Sequence, residues 1–235
     1  MAGSLYLVPN LLGAVPPGAV LPQRTIDVAR GLSNWVVETP KAARAFLNSL
    51  GMPVPIAQLD MLPLSRAPAA AELARPLALL RDGSDLGLMS DAGCPGVADP
   101  GSALVAAAHA AGIRVVPLVG PSAILLALMA SGMNGQHFCF HGYLPVKPDA
   151  RTAALRTLEA QSKAGARTEI FIETPYRNAA MLAALAAVLK PSTTVCIAAD
   201  LTLATEHVER ATAGEWKKRD LTRFERRPAI FLLQA

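Results

Sequence analysis

Charge is scarce in this chain: Asp, Glu, Lys and Arg together make up 17% of its 235 residues, and aromatic residues only 5%. Hydrophobic residues reach 52%, enough for a sizeable core, so that core must be built mostly from Ala, Leu and Val. The length suits one large domain or two small ones. Base exceeds acid by 22 to 18, a net charge of +4. So mild a surplus is compatible with a polyanionic partner and equally with ordinary variation. The three cysteines, Cys94, Cys139 and Cys196, are odd in number, far apart and without a CxxC pair. That excludes a disulfide framework, gives no zinc motif, and suggests a reducing, cytoplasmic setting. The histidines, His109, His137, His141 and His207, show no metal-ligand spacing, so no metal is expected. No apolar run reaches the roughly 18 residues of a membrane span. The first residues lack the basic-then-apolar pattern of a secretory leader, so no membrane association is expected.

What is present centres on Leu86–Gly101, LGLMSDAGCPGVADPG. Leu86–Met89 has the length and composition of a buried strand, and an alanine-rich helical pattern, Ser102–Ala111, follows the loop. A strand, a Gly/Pro-rich loop and a helix in that order place bare main chain at the carboxyl end of a strand. Open α/β sheets bind their ligands there. The glycines let backbone amides come close to a ligand, and Asp91 can accept a hydrogen bond from a hydroxyl or an amine. For Asp99-Pro100 the favoured reading is a helix cap followed by proline at the first helical position. For Asp91–Pro95 it is a ligand site.

The rest of the chain alternates strand and helix patterns. Ser4–Pro9 reads as a first strand running into a loop at Asn10–Gly18. Ala42–Leu50 and Ala69–Leu80 read as helices, with a short strand between them at Ile56–Leu62. Ile113–Val119 is a buried strand, and Gly120-Pro121-Ser122-Ala123 opens a helix over Ile124–Ser131, its glycine, proline and serine offering free amides and a hydroxyl. A strand and turn follow at Phe138–Pro145, then strands at Ile170–Glu173, Thr194–Ala198 and Pro228–Leu233, with a helix at Met181–Leu189. Such alternation argues for βαβ units and parallel sheets in both halves. Lys147, Arg151 and Arg156 read as a solvated face or an RNA-facing strip. Glu38, Lys41 and Arg44 cluster after a strand, either as a functional group or as a helix start with acid first and base later. Glu173 and Arg177 are close enough to orient a polar ligand or to pair with each other.

Several of these segments carry a family resemblance. SDAGCPGVADPG closely resembles the signature loop of the tetrapyrrole methylase superfamily, most of all the branch that methylates a ribose 2′-hydroxyl of small-subunit ribosomal RNA. Gly120–Ala123 matches that family's GPSA loop, and Glu173-Thr174-Pro175-Tyr176-Arg177 is similar to its ESPHR motif with Tyr for His. Val8–Gly13 takes the place of its first glycine loop. Where the family carries a helix, a strand and a Glu-Asp-Thr-Arg motif, this chain looks compressed and reads Glu38-Thr39-Pro40-Lys41. Ala199-Asp200-Leu201-Thr202 stands near its A-R-E-L-T-K segment without the Arg and Lys.

The resemblance implies two α/β domains with mostly parallel sheets, divided near residues 119 and 120, with S-adenosylmethionine in the cleft between them, and a homodimer. It places the cofactor at Pro9, Asp91, Ala92, Gly93, Val97, Ser122, Ala123, Ile172, Ala199 and Ala229. Lys41, Arg44, Glu173 and Arg177 become candidates for the substrate side. A hydroxyl nucleophile needs its proton accepted, and Glu38 is the candidate to assist. The expected reaction is 2′-O-ribose methylation of small-subunit ribosomal RNA, with rRNA or the small subunit as partner. Two alternatives stand beside it: methylation of a tetrapyrrole or other small molecule, and cofactor binding without catalysis.

Overall fold

Short apolar runs become strands where helices can cover both faces of a sheet. The computed structural model describes residues 2–235. The chain divides into two units, Met1–Ser122 and Ala123–Ala235.

The first unit runs β1 (Ser4–Leu7), α1 (Gln23–Gly31), β2 (Asn34–Val37), α2 (Pro40–Leu50), β3 (Asp60–Pro63), α3 (Ala70–Arg81), β4 (Leu86–Met89), α4 (Ser102–Ala110) and β5 (Arg114–Pro117). The strands form one parallel sheet in the order β3-β2-β4-β1-β5. The two-residue period of a strand sends Trp35 and Val37 to one face and Val36 to the other. On the first face α1 and α2 contribute Ile26, Ala29, Phe46 and Leu47. On the second, α3 and α4 contribute Leu80, Leu104 and Ala108. Central β4 is buried along its whole length, as a parallel strand covered on both faces must be. Its Gly87 pairs with Trp35, and a Cβ there would lie 2.6 Å from the indole ring. The missing side chain is therefore what seats the largest buried residue of this layer.

The segment that looked compressed holds a complete helix and strand, α1 and β2. Pro22 sits at the N-cap of α1, a position compatible with proline's fixed φ and missing N–H. The short strand near residue 60 begins later than its pattern suggested, because Ile56–Gln58 forms a 3-10 turn first. The reading of Asp99-Pro100 as cap and first helical residue is overturned. Gly101, with φ +133, occupies the N-cap of α4, and Asp99 and Pro100 stay in the loop.

The second unit runs α5 (Ala123–Ser131), β6 (Phe138–Tyr143), α6 (Pro148–Gly165), β7 (Thr168–Ile172), α7 (Asn178–Val188), β8 (Thr194–Ala199), β9 (His207–Thr212), α8 (Ala213–Trp216) and β10 (Ala229–Gln234). Its sheet has the order β6-β7-β10-β8-β9. The expectation of mostly parallel pairing fails for this sheet. Only β6–β7 is parallel, and the three remaining pairs are antiparallel. For β8–β9 the reason lies in connection length: a parallel crossover needs a dozen or more residues, and β8 returns as β9 after residues 200–206 alone; β10 lies between β7 and β8 and runs antiparallel to both. Asp200 (φ +51) and Thr202 (φ +73) take left-handed conformations in that return. Beneath α6 and α7 the core gathers Leu155, Met181, Leu185, Phe171 and Phe231, the last two rings stacked with centroids 5.6 Å apart. Helix α5 lies against β8, β9 and β10.

Candidate active site

In the first unit every strand points its carboxyl end to the same edge. Strand β1 connects through α1 to one side of the sheet, and its neighbour β4 connects through α4 to the other. The loops leaving these two strands therefore part at β1/β4, where an open α/β sheet forms its ligand crevice. A pair of contacts fixes the two loops across this point. The Asn10 N–H donates to Gly93 O at 2.9 Å, and Asn10 Nδ2 donates to Ser90 O (3.1 Å) and Asp91 O (2.9 Å). Gly93 adopts φ +67, and a Cβ on it would meet Leu12 Cδ2 at 3.3 Å and Pro121 O at 3.7 Å. The Cys94 thiol donates to Pro121 O at 3.5 Å, and burial pushes its pKa up, so it stands as a neutral donor. The turn after β4 and the turn after β5 are thus neighbours, both nearly bare of side chains.

Acidic groups line the next strand end. Asp91 accepts from the Thr39 amide (3.1 Å) and hydroxyl (2.8 Å), while its own N–H donates to Glu38 Oε2 at 3.2 Å. Thr39 precedes α2 yet makes no side-chain cap, because its hydroxyl is turned to Asp91. Asp99 completes the group. Arg66 Nη2 lies 4.0 Å from both Glu38 Oε1 and Asp99 Oδ1, and its side chain is 66% exposed. So open a guanidinium neutralises little of the cluster. Burial, with the Glu38 charge next, pushes the Asp99 carboxyl up to about 6 from 3.8; Arg66 pulls it down and Asp91 adds to the rise. Beside these residues a cavity of ≈ 530 Å³ is lined by Asn10, Leu12, Val15, Phe46, Ser49 and Asp91.

Of the residues singled out from sequence, Pro9, Asp91, Ala92 and Gly93 are brought together at β1/β4, and Ser122 directly follows Pro121. Val97 is exposed further along the loop. Lys41 and Arg44 stand exposed on α2, and the cation near Glu38 is Arg66 instead. Asn10, Thr39, Arg66 and Asp99 were not anticipated. The ADPG run gave a signal for Asp99; Arg66 gave none, because only the sheet order carries the loop after β3 to Glu38.

In the second unit, Ile172 ends β7, Ala199 ends β8 and Ala229 starts β10. Ala229 registers with Ala199, and Ile230 with Ile172, so the three form one row at one end of the sheet. Next to that row Glu173 and Arg177 pair: Nε and Nη2 donate to the same Oε1 at 2.9 and 2.5 Å. The other oxygen, Oε2, is buried without a partner among the described residues. Ala123 begins α5.

Comparison with known proteins decides the family. The family model described as Tetrapyrrole (Corrin/Porphyrin) Methylases matches residues 37–217. The chain belongs to the tetrapyrrole methylase family. Among its relatives, the ribosomal RNA small subunit methyltransferase I of Escherichia coli O157:H7 is 37% identical over 224 residues, covering 94% of this chain and 74% of that protein. The protein of the same name from Haemophilus influenzae is 32% identical over 227 residues, covering 95% and 76%. The crystal structure of the methyltransferase CobJ aligns with a TM-score of 0.65 at 18% identity, covering 99% of this chain and 94% of that one. That of uroporphyrin-III-C-methyltransferase from Thermus thermophilus aligns at 0.59 and 20%, covering 100% and 93%. At such identities the structures speak for the shared fold. This methylase is an S-adenosylmethionine-dependent methyltransferase. The first unit fits that donor on its own evidence: Gly93 leaves a space that a Cβ would narrow against Leu12, and the buried Ser90 hydroxyl has no partner among the described residues. No helix of the described residues is long and apolar enough to cross a membrane.

Proposed function

We propose that this methylase transfers a methyl group to a ribose 2′-hydroxyl in small-subunit ribosomal RNA. The observation that carries the reading is the acidic pair Glu38 and Asp99 beside the bare Gly93 turn. The names of the relatives, ribosomal RNA small subunit methyltransferase I, support the acceptor class.

S-adenosylmethionine supplies an already activated methyl group, so alignment and proton handling are what the protein must add. Main chain at Asp91–Gly93, with Pro9, Val97 and Ser122, is assigned to hold the donor. Of the residues that the resemblance implies for the donor, Ala123, Ile172, Ala199 and Ala229 belong to the second unit. Asp99 takes the hydroxyl proton: with its carboxyl pushed up to about 6 it is ionised at neutral pH yet retains proton affinity. Glu38 raises that affinity through its charge and steadies the loop by accepting the Asp91 N–H. Lys41 and Arg44, exposed on α2, are the first unit's candidates to meet phosphate, and Lys147, Arg151 and Arg156 are the second unit's. Glu173–Arg177 holds a strand end. The exposed Leu125 and Met129, one turn apart on α5, support self-association as a homodimer.

The test is transfer of a tritiated methyl group to small ribosomal subunits, naked rRNA and a porphyrinogen. Label in a dinucleotide resistant to alkali, from subunits, is the expected result. Label in the porphyrinogen alone, or none anywhere, overturns the reading. Unchanged turnover in Glu38→Gln with normal substrate binding removes Glu38 from it.

A further inference from the structure

The second unit carries a cluster remote in sequence from the motifs above. Cys139 and His141 lie two residues apart on β6 and so project from one face. Strand pairing sets Glu169 of β7 opposite Cys139. A thiol sulfur, an imidazole nitrogen and a carboxylate oxygen thereby lie within 4.8 Å of one another. Glu169 is fully buried, and His141 Nε2 is 2.6 Å from its Oε2. Arg167 Nε donates to the other oxygen at 2.6 Å, and Arg167 Nη2 donates to Gln161 Oε1 at 2.9 Å.

One guanidinium is enough to neutralise one buried carboxylate. The second oxygen is left facing two further metal-ligand types, one soft and one intermediate. We propose that Cys139, His141 and Glu169 form a binding site for a divalent transition-metal ion of the Zn²⁺ class. Three protein ligands of mixed S, N and O character leave a fourth position for water, and softness favours zinc over magnesium or calcium. Arg167 fixes the carboxylate from behind, as outer partners of metal ligands do. Binding displaces one proton, from the Cys139 thiol. The imidazole changes tautomer: the proton that Nε2 donates to Glu169 Oε2 moves to Nδ1 by exchange with solvent, which frees the Nε2 electron pair for the metal. The cysteine and histidine counts gave no hint of this site, because Glu169 lies 28 residues beyond His141 and only the sheet brings them together.

The probes are Co²⁺ and Zn²⁺ added to the full chain after treatment with a chelator. Co²⁺ is expected to give a thiolate charge-transfer band that Zn²⁺ abolishes by competition. Cys139→Ser should lose the band, and His141→Asn should weaken Co²⁺ binding about 100-fold or more. The wild-type chain provides a readout independent of any variant's folding: Zn²⁺ should protect Cys139, and not Cys94, from iodoacetamide, as mapped by mass spectrometry. A spectrum without sulfur charge transfer, equal alkylation with and without Zn²⁺, or variants that bind Co²⁺ as tightly as the wild type overturns the proposal. Glu169 would then be part of an ion-pair network and nothing more.

Discussion

Replacing Asp99 by Asn should make the protein more stable and less active, and the size of the effect follows from the site. In the folded chain the Asp99 carboxyl titrates at about 6, against 3.8 for an ordinary carboxyl. Below pH 3.8 both folded and unfolded chains hold the proton, and Asp99 contributes nothing. Between 3.8 and about 6 the unfolded chain has released it and the folded chain has not, so stability falls as pH rises. Above about 6 the folded chain carries the whole penalty. Two pKa units correspond to about 3 kcal/mol. The side chain is 24% exposed, and solvent screening lowers the expected value to about 1–2 kcal/mol. Asn is nearly isosteric and escapes the Glu38 and Asp91 charges. Urea unfolding from pH 4 to pH 8 should therefore show the two proteins converging at the acid end. Asp99→Asn should lead by about 1–2 kcal/mol at neutral pH, with methyl transfer largely lost. A gap that does not change with pH, or a variant less stable at pH 8, refutes the electrostatic reasoning. A more stable variant with full activity refutes the catalytic one.

Gly93→Ala forces a side chain into φ +67 and against Leu12; a loss of about 1–2 kcal/mol in unfolding free energy is expected, with weaker calorimetric binding of adenosylhomocysteine. Asn10→Ala removes the donor to Ser90 O and Asp91 O and should cost about 1–3 kcal/mol, read by thermal melting together with looser adenosylhomocysteine binding. Arg177→Ala leaves the fully buried Glu173 carboxylate without its counter-charge. About 3–5 kcal/mol should be lost, and Glu173→Gln in the same chain should restore part of it in the same melt.

The parts of this protein that could be read along the chain were those set by local rules. Leu86–Met89 followed by glycine, proline and an alanine-rich helix forced a strand–loop–helix, and the bare loop marked the ligand edge before any neighbour was known. The βα alternation of the first half likewise forced a parallel sheet. The second half misled because β9, HVERAT, has no apolar run to read as a strand: it returns beside β8 after seven residues through left-handed Asp200 and Thr202, a distance too short for a crossover, and β10 then enters antiparallel to β7 and β8. Asp99 has an ordinary cap signature, and only Gly101 taking the cap released it to the cluster with Glu38.

Local sequence, then, determined the strand–loop–helix at residues 86–110, which loop stays bare and which family the chain belongs to, because those depend on residues within a few positions of each other. Strand order and pairing decided the rest. They carried Arg66 to Glu38 and Asp99, set Asn10 across from Gly93, and stood Glu169 beside Cys139 and His141. Charge coupling and metal-ligand geometry fall off within a few ångströms, and separations along the chain say nothing about distances that short.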